Sequence, residues 1–307
     1  MSHLVLVSAS VVFKHGNRFL DEATIVPRLS QVPKMKPQDE TRDHLNRETT
    51  TSSPSSLEGT TAIVTGASSG IGEIIAERFA ADGANVVICS RDQKNVDAVA
   101  KRIEESGGTA LAVECDVTDR EAVEALVTAT VEEFGTVDVL VNNAGTRFMT
   151  DFDVISEDEW KTVIDVNLHG TYHCTQAAGK YLKEGGGTVI NIGLSSAASQ
   201  RGTPHLSHYS AAKAAVINLT TTLAYEWAGD DVRVNCIAPG FVATPAIESG
   251  LGISAADIDR NDVERWIALP IEIADIAQLL ASPASSHIVG ETITVDGVPR
   301  IEEMPER

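Results

Sequence analysis

Tyr209 and Lys213 lie four positions apart, and their side chains could together move a proton. In a helix, residues at this spacing share one face, so the phenol and the ammonium are predicted to be neighbours. A free phenol, with a pKa near about 10, is a poor base at neutral pH, and a nearby positive charge favours its ionised form. The pair suits acid–base chemistry on a carbonyl or an alcohol, although the same spacing also occurs on ordinary helix surfaces.

A glycine-rich segment, Thr65 to Gly72, follows an apolar stretch and precedes an amphipathic one. Its glycines are spaced G-x-x-x-G-x-G rather than G-x-G-x-x-G, so the spacing alone is weak support. Its placement between a predicted strand and a predicted helix is typical of a turn whose backbone N–H groups bind the pyrophosphate of a dinucleotide. A proton-transfer pair and a dinucleotide site in one chain predict hydride transfer.

The elements that must position these residues alternate along the chain. Strands are predicted at 62–64, 85–90, 110–114, 137–141, 188–192, 232–237 and 292–295. Helices are predicted at 71–82, 93–106, 118–134, 156–181 and 207–228, with helical pieces near 254–268 and 272–281. Thr118 and Ser156 are each predicted to begin a capping box. Strands that are apolar on both faces and joined by helices predict an α/β fold, a doubly wound parallel sheet with ligands at the carboxyl ends of its strands.

Residues 1–57 differ in composition from the rest of the chain. The stretch 31–56 is polar, with prolines at 33, 37 and 54 and a run of threonine and serine. Such a composition buries too little apolar surface to order itself, so residues 1–57 are predicted to be a disordered tail. A true translation start at Met35 and a partner-binding arm are the alternatives. Residues 58–307 are predicted to form the single folded domain.

The chain carries a net charge of −20, which we interpret mainly as a solvated acidic coat. This charge repels nucleic acid and anionic membranes and argues against both as partners. The four cysteines form no CxxC pair and the histidines no HExxH motif, so we expect buried cysteines, no metal site and a reducing, cytoplasmic location. No apolar run reaches the roughly 18 residues of a membrane-spanning helix.

Further motifs at matching distances give the chain a resemblance to the short-chain dehydrogenase/reductase family over about residues 57–298. The matching pieces are Thr65 to Gly72, Asp116-Val117, Asn142 to Gly145, Asn167, Tyr209 with Lys213, Pro239-Gly240 with Thr244, and Val295 to Gly297. The resemblance implies a seven-stranded Rossmann-like sheet, a nicotinamide cofactor, and a catalytic set of Asn, Ser, Tyr and Lys. It makes Tyr209 the proton donor or base, gives Lys213 a second role at the nicotinamide ribose, and makes Asn167 the anchor of a water chain to Lys213.

The serine of that set is where this sequence departs from the family pattern. The family usually reads Asn-Ile-Ser-Ser, with the catalytic serine about thirteen residues before the tyrosine. Here the segment 191–196 reads NIGLSS, so counting back from Tyr209 gives Ser196, whereas counting forward from Asn191 gives Leu194, which cannot donate a hydrogen bond. We therefore expect a small insertion, with Ser196 as the catalytic serine and Ser195 as the alternative.

The choice of cofactor is expected to depend on the end of the second strand. NAD enzymes usually place a carboxylate there for the ribose 2′-OH, whereas this chain has Ser90 followed by Arg91, which suits the 2′-phosphate of NADP. Asp92, the next residue, keeps NAD open. The residues expected to contact the cofactor are Gly66, Ser68, Ser69, Gly70, Ile71, Gly72, Ser90, Arg91, Asp116, Val117, Asn143, Ala144, Gly145, Tyr209, Lys213, Ile237, Pro239, Gly240 and Thr244.

Together these features predict reversible reduction of a ketone to a secondary alcohol with NADPH. Residues 207–209, 223–227 and 241–270 look most like those of 3-oxoacyl-thioester reductases. A sugar or polyol dehydrogenase, an enoyl-thioester reductase and a non-catalytic dinucleotide sensor are the alternatives. We also expect a homotetramer or homodimer, with the predicted helices 156–181 and 207–228 pairing through small and apolar residues at 177, 178, 211, 214, 215 and 219.

Overall fold

The chain folds around a parallel β-sheet. The computed structural model describes residues 55–198 and 201–298. The strands are β1 (Thr61–Thr65), β2 (Asn85–Ser90), β3 (Thr109–Glu114), β4 (Val139–Asn142), β5 (Thr188–Ile192), β6 (Arg233–Pro239), β7 (Phe241–Val242), β8 (Ile267–Ala268) and β9 (Thr292–Val295). Seven of them form the main sheet in the order β3-β2-β1-β4-β5-β6-β9, with every neighbouring pair parallel, while β7 and β8 pair separately.

Helices cover both faces of the sheet. They are α1 (Gly70–Ala81), α2 (Gln93–Glu105), α3 (Arg120–Phe134), α4 (Glu157–Ile164), α5 (Gly170–Gly185), α6 (Ser195–Ala198), α7 (Ser207–Trp227), α8 (Pro245–Leu251) and α9 (Pro270–Ala281). One apolar cluster packs α1, α2 and α9 against the sheet, and a second packs α3, α5 and α7 against the opposite face. Every residue of β1 is buried, because alternate side chains enter the two clusters. The predicted doubly wound fold is confirmed.

The order of the strands places a crevice at the middle of the sheet. From β1 the chain proceeds outward through β2 and β3, whereas β4, β5 and β6 extend the sheet in the opposite direction. The loops that follow β1 and β4 therefore leave the sheet towards opposite faces, and the gap between them is where ligands bind in open α/β sheets. The glycine-rich loop follows β1, and Asn143 follows β4.

The predicted helix 156–181 is interrupted in the structure. Its first part is α4, which Ser156 begins with the predicted capping box. A π-helical turn, Asp165–His169, then separates α4 from α5. Asn167 lies in this turn rather than in regular helix, and π turns frequently occur at functional sites.

The capping box predicted at Thr118 is wrong, because the Thr118 hydroxyl donates instead to Asp116 Oδ1 at 2.8 Å. Asp119 begins α3, its carboxylate accepting from the backbone N–H of Glu121 at 2.9 Å. The helix predicted near 254–268 is also wrong, since this segment contains a 3₁₀ turn, Ala255–Asp257, and the short strand β8.

Most of the predicted tail, residues 1–54, lies outside the described residues, so its disorder and the alternative start at Met35 stay predictions. Leu57, the last residue of that segment, is fully buried in the apolar cluster with α1 and α9. The four cysteines are free and buried, as the sequence predicts. Within the described part of the chain, no helix is both long and apolar enough to cross a membrane.

Candidate active site

The glycine-rich loop after β1 is held in place by the loop after β4. Gly66 and Gly70 have φ angles of 65° and 63°, in the left-handed region that favours glycine. The Asn143 side chain donates to the carbonyl oxygens of Thr65 at 2.9 Å and Gly66 at 3.0 Å. A Cβ atom on Gly72 would lie 2.3 Å from Asn143 Nδ2, so the close packing of the two loops requires glycine at this position.

A cavity of about 420 Å³ opens beside this loop. Ser69 precedes α1 without a side-chain hydrogen bond to its first turn, so no side chain caps this N-terminus at the cavity wall. Uncapped N–H groups and the helix dipole favour an anion such as pyrophosphate. Of the residues expected to bind the cofactor, those lining the cavity are Gly66, Ser68, Ser69, Gly70, Ile71, Ser90, Arg91, Asp116, Val117, Asn143, Ala144, Gly145 and Thr244.

Several expected cofactor residues lie elsewhere. Gly72 packs against Asn143, and Ile237 is fully buried in the sheet core. Pro239, Gly240 and Tyr209 line a neighbouring cavity. Four residues that line the cofactor cavity were not predicted from the sequence. Each lies within two positions of a predicted site residue, so proximity in the sequence could have identified them. They are Cys115, Thr146, Val166 and Ala246.

Tyr209 lines the neighbouring cavity, which has a volume of about 380 Å³ and which we call the substrate cavity. Ile71 and Thr244 line both cavities, so the two adjoin. The other walls of this cavity are formed mainly by apolar side chains, together with two arginines and one aspartate. The sequence analysis did not predict most of these residues as part of the site, because they come from several separate loops. They are Arg147, Leu194, Arg201, Thr203, Pro204, Leu206, Phe241, Val242, Ile247 and Asp296.

Helix α7 carries both Tyr209 and Lys213, and a buried polar chain fixes this helix against the sheet. Asn142 donates to Asn191 Oδ1 at 2.8 Å, and Asn191 donates to Thr220 Oγ1 at 2.9 Å. All three side chains are buried, where a hydrogen bond is costly to lose. These two side-chain hydrogen bonds therefore connect β4, β5 and α7.

Lys213 is buried, and its ammonium donates to the carbonyl oxygen of Ile192 at 2.7 Å. Its Nζ lies 5.6 Å from the centre of the Tyr209 ring, as the four-residue spacing predicts. Burial lowers the pKa of Lys213 from 10.5 to about 8, because it removes water from around the charge. The Lys213 ammonium should therefore lose its proton under mildly alkaline conditions, near this lowered pKa.

Asn167 faces Lys213 across Gly145. A Cβ atom on Gly145 would lie 2.8 Å from Asn167 Oδ1 and 3.8 Å from Lys213 Nζ. The Asn167 amide donates to the carbonyl oxygens of Thr146 and Val163, at 2.7 Å and 2.9 Å. Among the described residues no donor reaches its buried Oδ1. A buried acceptor in this position is suited to bind a water, in keeping with the predicted chain to Lys213.

Burial also raises the pKa of the Tyr209 phenol, and the positive charge of Arg147 lowers it by a smaller amount. The sequence suggested Lys213 as the charge that favours the phenolate. That role of Lys213 stays a prediction, since its ammonium donates to the Ile192 carbonyl oxygen. Arg147 is a positive charge near the phenol that the sequence analysis did not consider. Because burial outweighs the charge, the phenol keeps its proton at neutral pH.

Both candidate serines line the substrate cavity. Ser196 lies 2.6 Å from Thr203, hydroxyl to hydroxyl, and Ser195 is buried at the start of α6. Leu194, the residue reached by counting forward from Asn191, lines the same cavity without a donor. The structure brings all three positions to the cavity and leaves the choice between the serines as a prediction.

Comparisons with known proteins find relatives along most of the chain. A sequence model of the family described as Enoyl-(Acyl carrier protein) reductase matches residues 66–297. The short-chain reductase protein NovJ of Streptomyces niveus is 40% identical over 244 residues, 77% of this chain and 92% of that protein. The 3-oxoacyl-(acyl-carrier-protein) reductase of Thermotoga maritima is 37% identical over 244 residues, 78% and 98% of the two chains.

The chain belongs to the short-chain dehydrogenase/reductase family. A solved structure described as an NAD(P)-dependent gluconate 5-dehydrogenase from Beutenbergia cavernae, with NADP bound at low occupancy, superposes with a TM-score of 0.72. It is 36% identical and covers 80% of this chain and 98% of its own. As a short-chain dehydrogenase/reductase, this protein is an NAD(P)-dependent oxidoreductase.

The cofactor cavity of this short-chain dehydrogenase/reductase fits a dinucleotide. Its uncapped helix N-terminus suits the pyrophosphate, and the exposed Arg91 guanidinium has no ion pair or hydrogen bond among the described residues. Asp92, which kept NAD open, is engaged in capping α2, since its carboxylate accepts from the backbone N–H of Lys94 at 3.0 Å. Within the described ranges, no cluster of three or more His, Cys, Asp or Glu side chains is placed to hold a metal ion.

Proposed function

We propose that this protein reduces a ketone to a secondary alcohol with NADPH, and that Tyr209 supplies the proton. The observation that carries the proposal is the position of Tyr209 and the two serines in a cavity that adjoins the cofactor cavity and shares Ile71 and Thr244 with it. A ketone in this cavity would lie between an acid and the nicotinamide end of a bound dinucleotide.

The protonation state of Tyr209 supports the reductive direction. Because burial raises its pKa, the phenol is protonated at neutral pH and can donate to the oxygen of a carbonyl. When bound, the cofactor supplies the hydride that the carbonyl carbon accepts. Ser196, or alternatively Ser195, would donate a hydrogen bond to the same oxygen as negative charge develops on it. Water bound at Asn167 Oδ1 would connect Lys213 to solvent and restore the proton.

Arg91 supports NADP rather than NAD. It lies at the carboxyl end of β2, lines the cofactor cavity and has no described partner, so its guanidinium can bind a 2′-phosphate through charge-assisted hydrogen bonds. No carboxylate stands directly at the end of β2, and the one on Asp92 is used as a helix cap.

For the substrate class we favour a 3-oxoacyl thioester. The reductase from Thermotoga maritima, whose name refers to such a substrate, aligns along nearly its whole length. The gluconate 5-dehydrogenase structure supports a sugar or polyol as the second candidate. The matching family is described as an enoyl reductase, but tyrosine and serine in the substrate cavity suit carbonyl chemistry.

We also propose a cytoplasmic location, because the cysteines are free and buried, and a homodimer or homotetramer. Of the residues expected to pair subunits through α5 and α7, Ala211 and Ala214 are exposed and available, whereas Ala178 is fully buried in the core of the chain. Ala178 is therefore not available to an interface at this face. Sedimentation across a salt series tests it, because salt screens the acidic coat and should favour assembly.

The proposed reaction is tested with purified protein, NADPH or NADH, and a panel containing acetoacetyl-CoA, sugars and polyols. We expect NADPH absorbance to fall with acetoacetyl-CoA, and Tyr209→Phe to reduce kcat by about 10²-fold or more while cofactor binding is retained. Near-normal kcat in that variant would refute the role of Tyr209. Cofactor binding without turnover of any panel member would favour the non-catalytic sensor.

A further inference from the structure

The substrate cavity has a charge balance opposite to that of the chain. The full sequence has 44 acidic residues against 24 lysines and arginines. The described residues lining the cavity include two arginines, Arg147 and Arg201, and a single carboxylate, Asp296. A strongly acidic surface repels anions, so a local excess of positive charge marks a place where an anion can bind.

The arginines of the described residues fall into two groups. Six of them are held by carboxylates or carbonyl oxygens: Arg78, Arg102, Arg120, Arg233, Arg260 and Arg265. The other three, Arg91, Arg147 and Arg201, have no ion pair or side-chain hydrogen bond within the described ranges, and all three line the cofactor or substrate cavity. The described arginines without an ion pair or side-chain hydrogen bond thus all lie in the walls of the two cavities.

Arg147 belongs to the loop after β4 and is close to the reacting group. Thr146, the preceding residue, lines the cofactor cavity, whereas Arg147 lines the substrate cavity. Its charge reaches the Tyr209 phenol, since it is the charge that lowers the pKa of that group. An anion bound by Arg147 would therefore lie near the ketone that Tyr209 protonates.

Arg201 is hydrogen-bonded to the segment that carries the two candidate serines, Ser195 and Ser196. Its backbone N–H donates to the carbonyl oxygen of Ser196 at 2.9 Å, and the nearby Thr203 hydroxyl contacts the Ser196 hydroxyl. Arg201 and Ser196 therefore line the cavity from the same part of the chain. Both arginines are exposed at its walls, where their side chains can approach a ligand without disturbing the core.

We propose that the substrate carries an anionic group, a carboxylate or a phosphate, near its ketone, and that Arg147 and Arg201 bind this group. The inference rests on the proposed ketone reduction alone and not on the 3-oxoacyl thioester favoured above. A 3-oxoacyl thioester has a neutral thioester beside its ketone, so an anionic group near the ketone would favour another acidic ketone over that candidate. Guanidinium groups suit both anions, because their planar donors form paired hydrogen bonds with two oxygens. The apolar walls from Leu194, Leu206 and Phe241 would hold the carbon skeleton.

The test compares matched pairs of ketones under NADPH. One arm uses 2-oxo, 3-oxo and 4-oxo carboxylates, each with its methyl ester, and the other uses ketone-bearing phosphate monoesters, each with the free alcohol. We expect kcat/KM for an anionic member to exceed that of its neutral partner by about tenfold or more, the scale of a charge-assisted hydrogen bond. The arm that shows the larger preference identifies carboxylate or phosphate.

Variants assign the preference to the two arginines. Arg147→Gln combined with Arg201→Gln should lower the ratio of kcat/KM for the anion to kcat/KM for its neutral partner by about tenfold to hundredfold. Because the charge of Arg147 also reaches Tyr209, any change in the proton-transfer step affects both members of a pair equally and cancels in this ratio. Lys180→Gln removes one positive charge from an exposed part of α5 and serves as the control, which should leave the preference intact. Equal losses on both members of a pair, or weakened NADPH binding in the double variant, would refute the assignment.

A binding measurement separates this inference from the proposed function. NADPH-loaded protein is titrated calorimetrically with the hydroxy acid, the hydroxy phosphate and their neutral partners, a combination that cannot turn over. Tighter binding of an anion, lost in the double variant, would support the arginine site. Reduction of neutral ketones without any anion preference would refute the inference and leave the proposed function standing. Anion binding without reduction of any ketone would refute the proposed function instead.

Discussion

Replacing Lys213 with methionine should reveal how much the folded chain loses by burying an ammonium. Burial lowers the pKa of Lys213 from 10.5 to about 8, and at about 1.4 kcal/mol per pH unit this difference corresponds to roughly 3 kcal/mol. The penalty applies in full when lysine is charged in both the folded and the unfolded chain, which is below about pH 8. It disappears above about pH 10.5, where lysine is neutral in both.

The free energy of unfolding of the wild type should therefore rise relative to that of Lys213→Met as the pH increases from 8 to 10.5. The sign follows because, in this window, the unfolded chain binds a proton that the folded chain does not. We expect the difference between the two proteins to change by roughly 3 kcal/mol between pH 7 and pH 10.5. Loss of the hydrogen bond to Ile192 shifts the difference in unfolding free energy by a similar amount at each pH. The test is therefore the change of this difference with pH, not its size at any one pH.

Urea unfolding of both proteins at a series of pH values, without cofactor and at one protein concentration, measures this difference. Lys180→Met is the matched control, because it makes the same substitution at an exposed position of α5. A difference for Lys213→Met that does not change with pH would refute the reasoning. The same variant should lose at least about 10²-fold in kcat, since the lysine that restores the proton is gone.

Three further predictions concern the site. Ser196→Ala should lower kcat more than Ser195→Ala, and the opposite order would place the loop insertion differently. Arg91→Ala should weaken NADPH binding by about tenfold or more and NADH binding little, because only NADPH carries a phosphate for the guanidinium; fluorescence titration of both cofactors would expose equal effects. Gly145→Ala should reduce kcat even where the chain folds normally, because the added Cβ would lie 2.8 Å from Asn167 Oδ1 and must displace it. Unchanged activity in that variant would show that the position of this oxygen is unimportant.

The sequence by itself determined the fold class, because apolar runs of strand length joined by amphipathic segments can bury both faces only as a covered parallel sheet. It also determined that Tyr209 and Lys213 lie on one helix face, since that follows from four-residue spacing alone. The glycine-rich loop could be placed after β1 for the same local reason. Each of these predictions depends on neighbours in the chain.

What only the tertiary structure decided depends on contacts between distant segments. The π turn at Asn167 could not be read from the sequence, because a helix-forming pattern runs through it. The Lys213 ammonium donates to the Ile192 carbonyl because α7 packs beside β5. A second positive charge that reaches Tyr209 comes from Arg147, 62 positions away in the chain. The walls of the substrate cavity come from loops that meet only when the sheet has formed, so their shared positive charge emerges from folding rather than from any motif.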